Sequence, residues 1–254
     1  MGLKEDIVEL IRKTANVLPE DVLSTLKGDN PILEKIRENC VIAENNSRPI
    51  CQDTGTPIFY VKRPKESSEV ELKQIITKAV DTATKEVYLR PNAVDINGEN
   101  IGNVPIIHFE EGEKLVIDLL LKGGGSENVS AIYKLPNKEL KAMRNLEGVK
   151  RCVLETIFKA QGKGCPPYII GVATGGNIEQ VAHLSKKQLL ENIEEHSDYE
   201  KEILDAVNRL HIGPLGLGGS KTALSVKIAH EPRHPATFFV GISLNCWCLR
   251  RGRL

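Results

Sequence analysis

The sequence predicts a mixed α/β (α+β) fold, in which a mostly helical N-terminal lobe leads into a mixed α/β lobe. Two observations predict it. The first 45 residues and the segment after Ser68 carry apolar residues at helical spacing, whereas strand-like and helical patterns mix in the rest of the chain. We expect one compact domain over residues 1–254, with lobes at residues 1–95 and 96–254.

Three helices are predicted in the first lobe from their apolar stripes and their N-terminal signals. Leu3–Ala15 carries one apolar stripe. The motif Asp29-Asn30-Pro31 offers a capping residue with proline at the first helical position. Ser68 and Glu71 form a capping-box pattern ahead of a long amphipathic segment.

Strand and helix patterns mix in the second lobe. Short apolar runs predict strands, and longer amphipathic runs predict helices. The predicted strands are Pro105–Phe109, Leu115–Leu121, Tyr168–Ala173, Ala223–Ile228 and Thr237–Asn245. The predicted helices are Gly148–Gln161, Ile178–Glu194 and Asp198–Leu210.

Charge and hydropathy argue against several partners. The 34 Lys and Arg residues balance 34 Asp and Glu residues, so the chain lacks the positive field that nucleic acid or an acidic membrane selects. No apolar run approaches the roughly 18 residues that span a bilayer, and the N-terminus lacks a secretory pattern. We expect a soluble, cytoplasmic protein. The basic stretch from Arg250 to Arg253 is compatible with a solvated C-terminus or with a contact surface.

Six cysteines are distributed along the chain, none of them at CxxC spacing. In an intracellular protein such cysteines are core residues, metal ligands or nucleophiles more often than disulfides. Cys40 and Cys152 lie on apolar helical stripes, so we expect them in the core.

The other four cysteines lie in loops or at a strand end. Cys51 begins CQDTGTP, and Cys165 lies within GKGCPPY. Cys246 and Cys248 close an apolar strand, where alternation places both on one face and does not choose between them. Three separated thiolates suit an iron–sulfur cube with one iron open to substrate, whereas four would favour electron transfer.

Polar loops near these cysteines offer groups that bind or convert an anion. Asp53 is a candidate general base, although its local pattern also favours an Asx-turn. Arg90 could pair with a carboxylate or lie on the surface. The run Gly123–Ser126 could present backbone N–H groups to an anion. His234, between prolines on a loop, is a candidate acid, base or hydrogen-bonding group, or a surface histidine.

Taken together, these motifs resemble the class I (iron–sulfur) fumarate hydratase and L-tartrate dehydratase family, specifically its cluster-bearing N-terminal half. The resemblance runs collinearly along essentially the whole chain. The residues that carry it are CQDTG at Cys51–Gly55, LRPN at Leu89–Asn92, KGGGSEN at Lys122–Asn128, GCPPYIIGVATGG at Gly164–Gly176, and RHP…CW…RR from Arg233 to Arg251.

The resemblance implies a 4Fe-4S cluster held by Cys51, Cys165 and Cys246. The family's third cysteine precedes a tryptophan, as Cys246 precedes Trp247. Cys248 departs from the small residue usual in the family and stays a minor rival ligand.

The resemblance also implies roles for the polar loop residues. Gln52 and Asp53 look like the substrate-contacting pair, with Asp53 as the proton-transfer group. Arg90 looks like a carboxylate clamp, Gly125 like a backbone donor and His234 like a substrate-binding histidine.

The family's second half is absent from this chain, so the chain resembles the α subunit of a split form. Such a subunit would complete its site with a separate β subunit, in an α2β2 assembly. The implied reaction is the reversible hydration of fumarate, a small dicarboxylate, to L-malate. The alternatives are an L(+)-tartrate dehydratase α subunit and, from another class, a non-catalytic iron–sulfur redox subunit.

Overall fold

The computed structural model describes residues 2–28 and 30–254, and its helices and sheets confirm the mixed α/β class. The chain forms two compact units from interleaved stretches. Unit 1 comprises Met1–Leu23, Lys35–Gly124 and Cys248–Leu254, and unit 2 comprises Ser24–Glu34 and Gly125–Trp247. The single domain with lobes at 1–95 and 96–254 stays a prediction.

Helices and strands are interspersed along the chain. The helices are α1 (Leu3–Asn16), α2 (Glu20–Thr25), α3 (Pro31–Asn45), α4 (Glu69–Glu86), α5 (Gly124–Glu127), α6 (Leu146–Ala160), α7 (Ile178–Lys187) and α8 (Asp198–Asn208). The strands are β1 (Thr56–Arg63), β2 (Ala93–Val94), β3 (Asn100–Gly102), β4 (Ile106–Glu111), β5 (Val116–Lys122), β6 (Ala131–Lys134), β7 (Tyr168–Gly175), β8 (Ala223–His230), β9 (Phe239–Asn245) and β10 (Arg250–Arg253). Within the described residues, no helix combines the length and apolar character needed to cross a membrane.

Unit 1 is built on a four-stranded sheet in the order β10-β5-β1-β4. Strand β5 is antiparallel to both β1 and β10, while β4 runs parallel to β1. Helices α1 and α4 pack together, and their apolar stripes join the sheet in one core that includes Ile11, Phe59, Ile76 and Leu119. Burial of these side chains is the main stabilising contribution to the unit.

The N-terminal helix signals read from the sequence are confirmed where the structure describes them. Helix α3 begins at Pro31, and the side chain of Asn30 accepts the Ile32 N–H at 2.9 Å. Asp29, the other residue of that signal, lies outside the described residues. Ser68 caps α4 by accepting the Glu71 N–H at 3.3 Å, which is the serine half of the predicted capping box.

Unit 2 is built on a four-stranded sheet in the order β6-β9-β7-β8, in which β7 and β8 are parallel. Helix α7 packs so closely against this sheet that a Cβ at Gly171 would stand only 2.0 Å from the Ser185 carbonyl oxygen. A Cβ at Gly241 would stand 2.3 Å from the Val181 carbonyl oxygen. Only glycine permits this backbone approach, which brings a helix onto β7 and β9.

Strand β1 was not predicted, because residues 1–95 were expected to be mostly helical. It is the centre of its sheet, and five of its eight residues are buried. Pro57 is tolerated there because the pairing of β1 with β4 begins only at Ile58, so that neighbour does not require a Pro57 N–H.

The basic C-terminal stretch is a paired strand and not a solvated tail, although its last arginine, Arg253, is exposed. It forms β10, which pairs with β5. The Arg250 side chain is 1% exposed, Arg251 pairs with Asp21, and Arg253 pairs with Asp118. The prediction failed because these partners are distant in sequence.

Glu200 provides a test of how unit 2 is stabilised. Its carboxylate accepts N–H bonds from Ser197 at 2.7 Å and Ile228 at 2.8 Å, which join the start of α8 to β8. Burial alone would raise the pKa of Glu200, but these donors outweigh burial and hold the pKa below its ordinary value.

We expect Glu200→Gln to lower the free energy of unfolding by about 2 kcal/mol at pH 7, because the amide replaces a charged acceptor. The wild-type advantage should be complete above the ordinary pKa of 4.5 and should disappear as the pH falls through the lowered folded value. Urea unfolding at several pH values measures this, with exposed Glu202→Gln on the same helix as control. A difference independent of pH would contradict the assignment.

Candidate functional site

The Asp53 carboxylate holds two loops of unit 1 together. Its Oδ1 accepts the Gly55 N–H at 3.0 Å, which confirms the Asx-turn, and its Oδ2 accepts the Gly124 N–H at 2.7 Å. Each carboxylate oxygen has two lone pairs, so one acceptor position per oxygen is left after these bonds. A turn role and a chemical role for Asp53 are therefore compatible.

Gly55 explains why the CQDTG loop lies where it does. Its φ is 84°, in the left-handed region, and a Cβ there would stand 2.8 Å from the Leu121 carbonyl carbon. A side chain is excluded by both conformation and space. The loop therefore lies directly on the end of β5, where the glycine turn that bonds to Asp53 begins.

Thr54 connects this loop to the segment that carries Arg90, a connection that the sequence analysis missed. The Thr54 side chain is 3% exposed, and its hydroxyl oxygen accepts the Arg90 N–H at 3.1 Å and the Asn92 side-chain N–H at 2.9 Å. The CQDTG motif already contained this residue, but its partners lie 36 and 38 positions further along the chain.

Asn103 fixes the same segment from the other side. Its Nδ2 donates to the Arg90 carbonyl oxygen at 2.9 Å, and its Oδ1 accepts the Asn92 N–H at 3.0 Å. The Arg90 side chain itself is exposed. The structure thus holds the backbone of Arg90 rigidly while its guanidinium faces solvent, an arrangement suited to binding an anion.

The other two predicted residues of this loop, Cys51 and Gln52, both precede its Asx-turn. Cys51 is half-buried and Gln52 is exposed. Both belong to unit 1, together with Asp53 and Arg90.

In unit 2 the structure brings Cys165 and Cys246 together. Strand β7 pairs with β9 through Ile169 and Asn245, and just beyond this pair the Trp247 N–H donates to the Cys165 carbonyl oxygen at 3.2 Å. Both cysteines follow or precede an apolar strand by a few residues. The strand register therefore places two of the three predicted ligands at one edge of the sheet.

Tyr168 lies near both cysteines and holds the loop that carries Cys165. Its hydroxyl donates to the Gln161 carbonyl oxygen at 2.7 Å and accepts the Gly164 N–H at 3.1 Å. Burial raises the pKa of Tyr168 to about 12, and negative charge on nearby Cys165 and Cys246 acts in the same direction. The hydroxyl therefore stays protonated and donates at neutral pH.

Burial distinguishes the cysteines that lie in a core from those that are accessible. Cys40 and Cys152 are buried, which confirms their assignment to the core, and burial raises their pKa to about 11 and about 12. The prediction that Cys246 and Cys248 share one strand face is wrong, because β9 ends at Asn245. Cys246 is half-buried, whereas Cys248 is buried within unit 1.

The predicted cluster ligands all offer sulfur as the donor atom. Among residues 2–28 and 30–254, no three His, Cys, Asp or Glu side chains form a group that could hold one ion. An iron–sulfur cube takes thiolates at its separate corners, and thiols on loops beside Tyr168 are that type of donor.

Gly125 and the glycine run differ from the predicted open nest. Residues Gly124–Glu127 form a short helical turn, α5, and Gly125 is exposed within it. Gly125 lines a cavity of about 510 Å³ in unit 2, whose wall also includes Lys159 and Lys163. Neither lysine was singled out from the sequence. Lys159 lies on a helix outside the quoted motifs, and in GKGCPPY, which contains Lys163, the cysteine was taken as the functional residue.

His234 lies on an exposed loop of unit 2, and its ring is held by a backbone N–H of the same loop. Its Nδ1 accepts the Ala236 N–H at 3.1 Å, so the neutral ring carries its proton on Nε2. That Nε2–H can donate to a ligand.

Comparison with known proteins places the chain in a family. It belongs to the fumarate hydratase (Fumerase) family, whose model matches residues 4–254. It is 42% identical to the putative L(+)-tartrate dehydratase subunit alpha of Methanocaldococcus jannaschii, over 99% of this chain and 96% of that protein. It is 32% identical to the L(+)-tartrate dehydratase subunit alpha of Escherichia coli (strain K12), over 99% of this chain and 90% of that protein. It is also 39% identical, over 98% of its length, to the putative fumarate hydratase class I of Geobacillus stearothermophilus, of which it spans 54%.

The Thr54 connection can be tested without any assay of activity. Thr54→Val keeps the shape but removes the hydroxyl, so we expect amide hydrogen exchange at Arg90 to accelerate by at least about tenfold. Thr54→Ser keeps the hydroxyl and is the matched control, with exchange close to wild type. Equal exchange in the valine variant and the wild type would show that Thr54 does not hold this segment.

Proposed function

We propose that this chain is the α subunit of a hydro-lyase that reversibly hydrates fumarate to L-malate. Family membership over residues 4–254 supports the reaction class. The observation that carries the proposal is the Asp53 carboxylate, held by two backbone N–H groups two residues from the candidate ligand Cys51. A fixed carboxylate beside a cluster ligand suits proton transfer to or from a bound diacid.

A separate β subunit would complete the active site. The two relatives whose names include subunit alpha match this chain over 96% and 90% of their length. The Geobacillus stearothermophilus relative, named without a subunit, is nearly twice as long as the matched region. This difference in length supports a split enzyme, which we propose assembles as α2β2.

Cys51, Cys165 and Cys246 would hold a 4Fe-4S cluster. When bound, the cluster would supply an open iron that acts as a Lewis acid toward the hydroxyl and carboxylate of the substrate. The adjacency of Cys165 and Cys246 in unit 2 supports two of the three assignments. Cys248, buried in unit 1 beyond the end of β9, is the weaker candidate.

We assign proton transfer and substrate binding to residues of this chain. Asp53 exchanges a proton with the substrate carbon or with water through its unused lone pairs. Arg90 binds a carboxylate, since its guanidinium is exposed on a rigid backbone. Gln52, the Gly125 backbone and the His234 Nε2–H donate to the substrate oxygens, which stabilises the negative charge that grows in the transition state.

Removal of the Asp53 charge should lower turnover without changing the cluster content. We expect Asp53→Asn to lower kcat by at least about 100-fold while iron and sulfide content stay near wild type. Asp95→Asn is the matched control, because Asp95 also caps a turn by accepting N–H bonds from Asn97 and Glu99. Parallel loss of activity and cluster content in the Asp53 variant would refute its role as the base.

A dehydratase acting on L(+)-tartrate is the second candidate, because the relatives that match this chain over 96% and 90% of their length carry that name. Both reactions remove water from a hydroxy-diacid, and they differ in the second hydroxyl of the substrate.

Anaerobic assay of the reconstituted chain, alone and with its partner subunit, tests the proposed function. We expect little hydratase activity from the chain alone and rapid interconversion of fumarate and L-malate by the pair. Faster turnover of L(+)-tartrate than of L-malate would favour the second candidate. Full activity of the chain without a partner would contradict the split active site.

A further inference from the structure

Strand β4 is an edge strand of the sheet of unit 1. It pairs with β1, and among the described residues no further strand pairs with it. The Gly112 N–H donates to the Arg63 carbonyl oxygen at 2.9 Å, so the backbone groups of Gly112 point toward β1. Successive residues of a strand alternate in this direction. The backbone N–H and C=O groups of Ile107, Phe109 and Glu111 therefore point outward, away from β1.

A groove of about 350 Å³ lies beside this edge, between the N-terminal part of α4 and β4. Four apolar and two charged residues line it, namely Val70, Pro105, Ile107, Phe109, Glu69 and Lys73. Val70 is 67% exposed, and Ile106 on the strand itself is 45% exposed. Outward backbone groups next to exposed apolar side chains form a surface on which another strand can pair.

The two charged residues of the groove differ in their partners. Glu69 pairs with Arg63. Lys73 is exposed, and within residues 2–28 and 30–254 it takes part in no ion pair. The same is true of Glu111, which is exposed at the end of β4. This surface therefore carries one cation in the groove and one anion at the strand end, and neither is neutralised by those residues.

A second copy of this chain fits both the backbone and the charges of the surface. Two β4 strands related by a two-fold axis run antiparallel, and each presents the same outward groups to the other. The pairings centred on the middle of the strand place Glu111 of one copy opposite Pro105 or Ile107 of the other. Both of these residues line the groove together with Lys73, so each carboxylate meets an ammonium group of the other copy.

We infer that two copies of this chain associate through their β4 strands, which join the two unit 1 sheets into one continuous sheet. Lys73 and Glu111 select the antiparallel arrangement, because parallel strands would place the two Glu111 carboxylates side by side. The inference goes beyond the proposed α2β2 assembly, since it names the surface through which two α subunits meet. It does not depend on the cluster or on the proposed reaction.

Reversal of the two charges tests this pairing. We expect Lys73→Glu alone and Glu111→Lys alone to raise the dissociation constant of the dimer at least about tenfold, because each turns two attractive contacts into repulsive ones. The double variant restores both contacts with the charges exchanged, so its dissociation constant should return close to the wild-type value. Both residues are exposed, and the fold of the single chain should tolerate either change.

Sedimentation equilibrium of the full chain over a range of concentrations measures these dissociation constants, and circular dichroism verifies that each variant is folded. Lys78→Glu is the matched control. Lys78 is exposed on the same helix but does not line the groove, so the same change of charge should leave the dimer as strong as in the wild type.

A wild-type chain that sediments as a monomer at every concentration, and that forms only a complex of one α and one β subunit with its partner, would overturn the inference. A dimer that neither single substitution weakens would also overturn it. If both single variants weaken the dimer and the double variant is no stronger, Lys73 and Glu111 do not contact each other, and the proposed pairing is wrong. Loss of β-subunit binding in Lys73→Glu, with the α dimer intact, would assign the groove to the β subunit instead.

Discussion

The two backbone hydrogen bonds to the Asp53 carboxylate are the constraint on which the candidate site of unit 1 depends. They join the CQDTG loop to the glycine turn after β5, and Gly55 allows that loop to lie directly on the strand end. Thr54, the residue after Asp53, fixes the segment of Arg90 by accepting the Arg90 N–H. The CQDTG motif therefore fixes the Asp53 carboxylate, carries Cys51 two residues before it, and holds the backbone of Arg90.

This division between rigid backbone and accessible side chains fits the proposed chemistry. A base and a carboxylate clamp must be held within a narrow range of positions if they are to act on one substrate. Here the backbone of Arg90 is fixed by buried Thr54 and Asn103, while the guanidinium is exposed. Gln52, Gly125 and His234 are also exposed. If a second subunit completes the proposed site, exposed residues of this kind are accessible to it.

Local patterns in the sequence were sufficient for much of the fold. Helices α1 and α8 follow from apolar periodicity, and α4 follows from periodicity together with its capping residue Ser68. Strands β7 and β9 follow from short apolar runs, because each of these signals is contained within one element. Pairing between distant segments was not predictable. The central position of β1 depends on β4 and β5, and the burial of Arg250 depends on β5. In the site, the motifs indicated Asp53 and the cysteines. The approach of Cys165 to Cys246 was not predictable, because it depends on the register between β7 and β9. The contacts of Thr54 were not predictable either, because the whole of helix α4 lies between Thr54 and Arg90 in the sequence.

The proposed chemistry depends above all on three thiolates that hold one cluster and leave one iron for the substrate. Mössbauer spectroscopy of the chain reconstituted anaerobically with isotope-enriched iron and its partner subunit tests this claim most directly. We expect that adding L-malate changes the signal of a single iron subsite and leaves the others as they were. A complete cluster whose spectrum is unchanged by the diacid, at concentrations that saturate the enzyme, would contradict it.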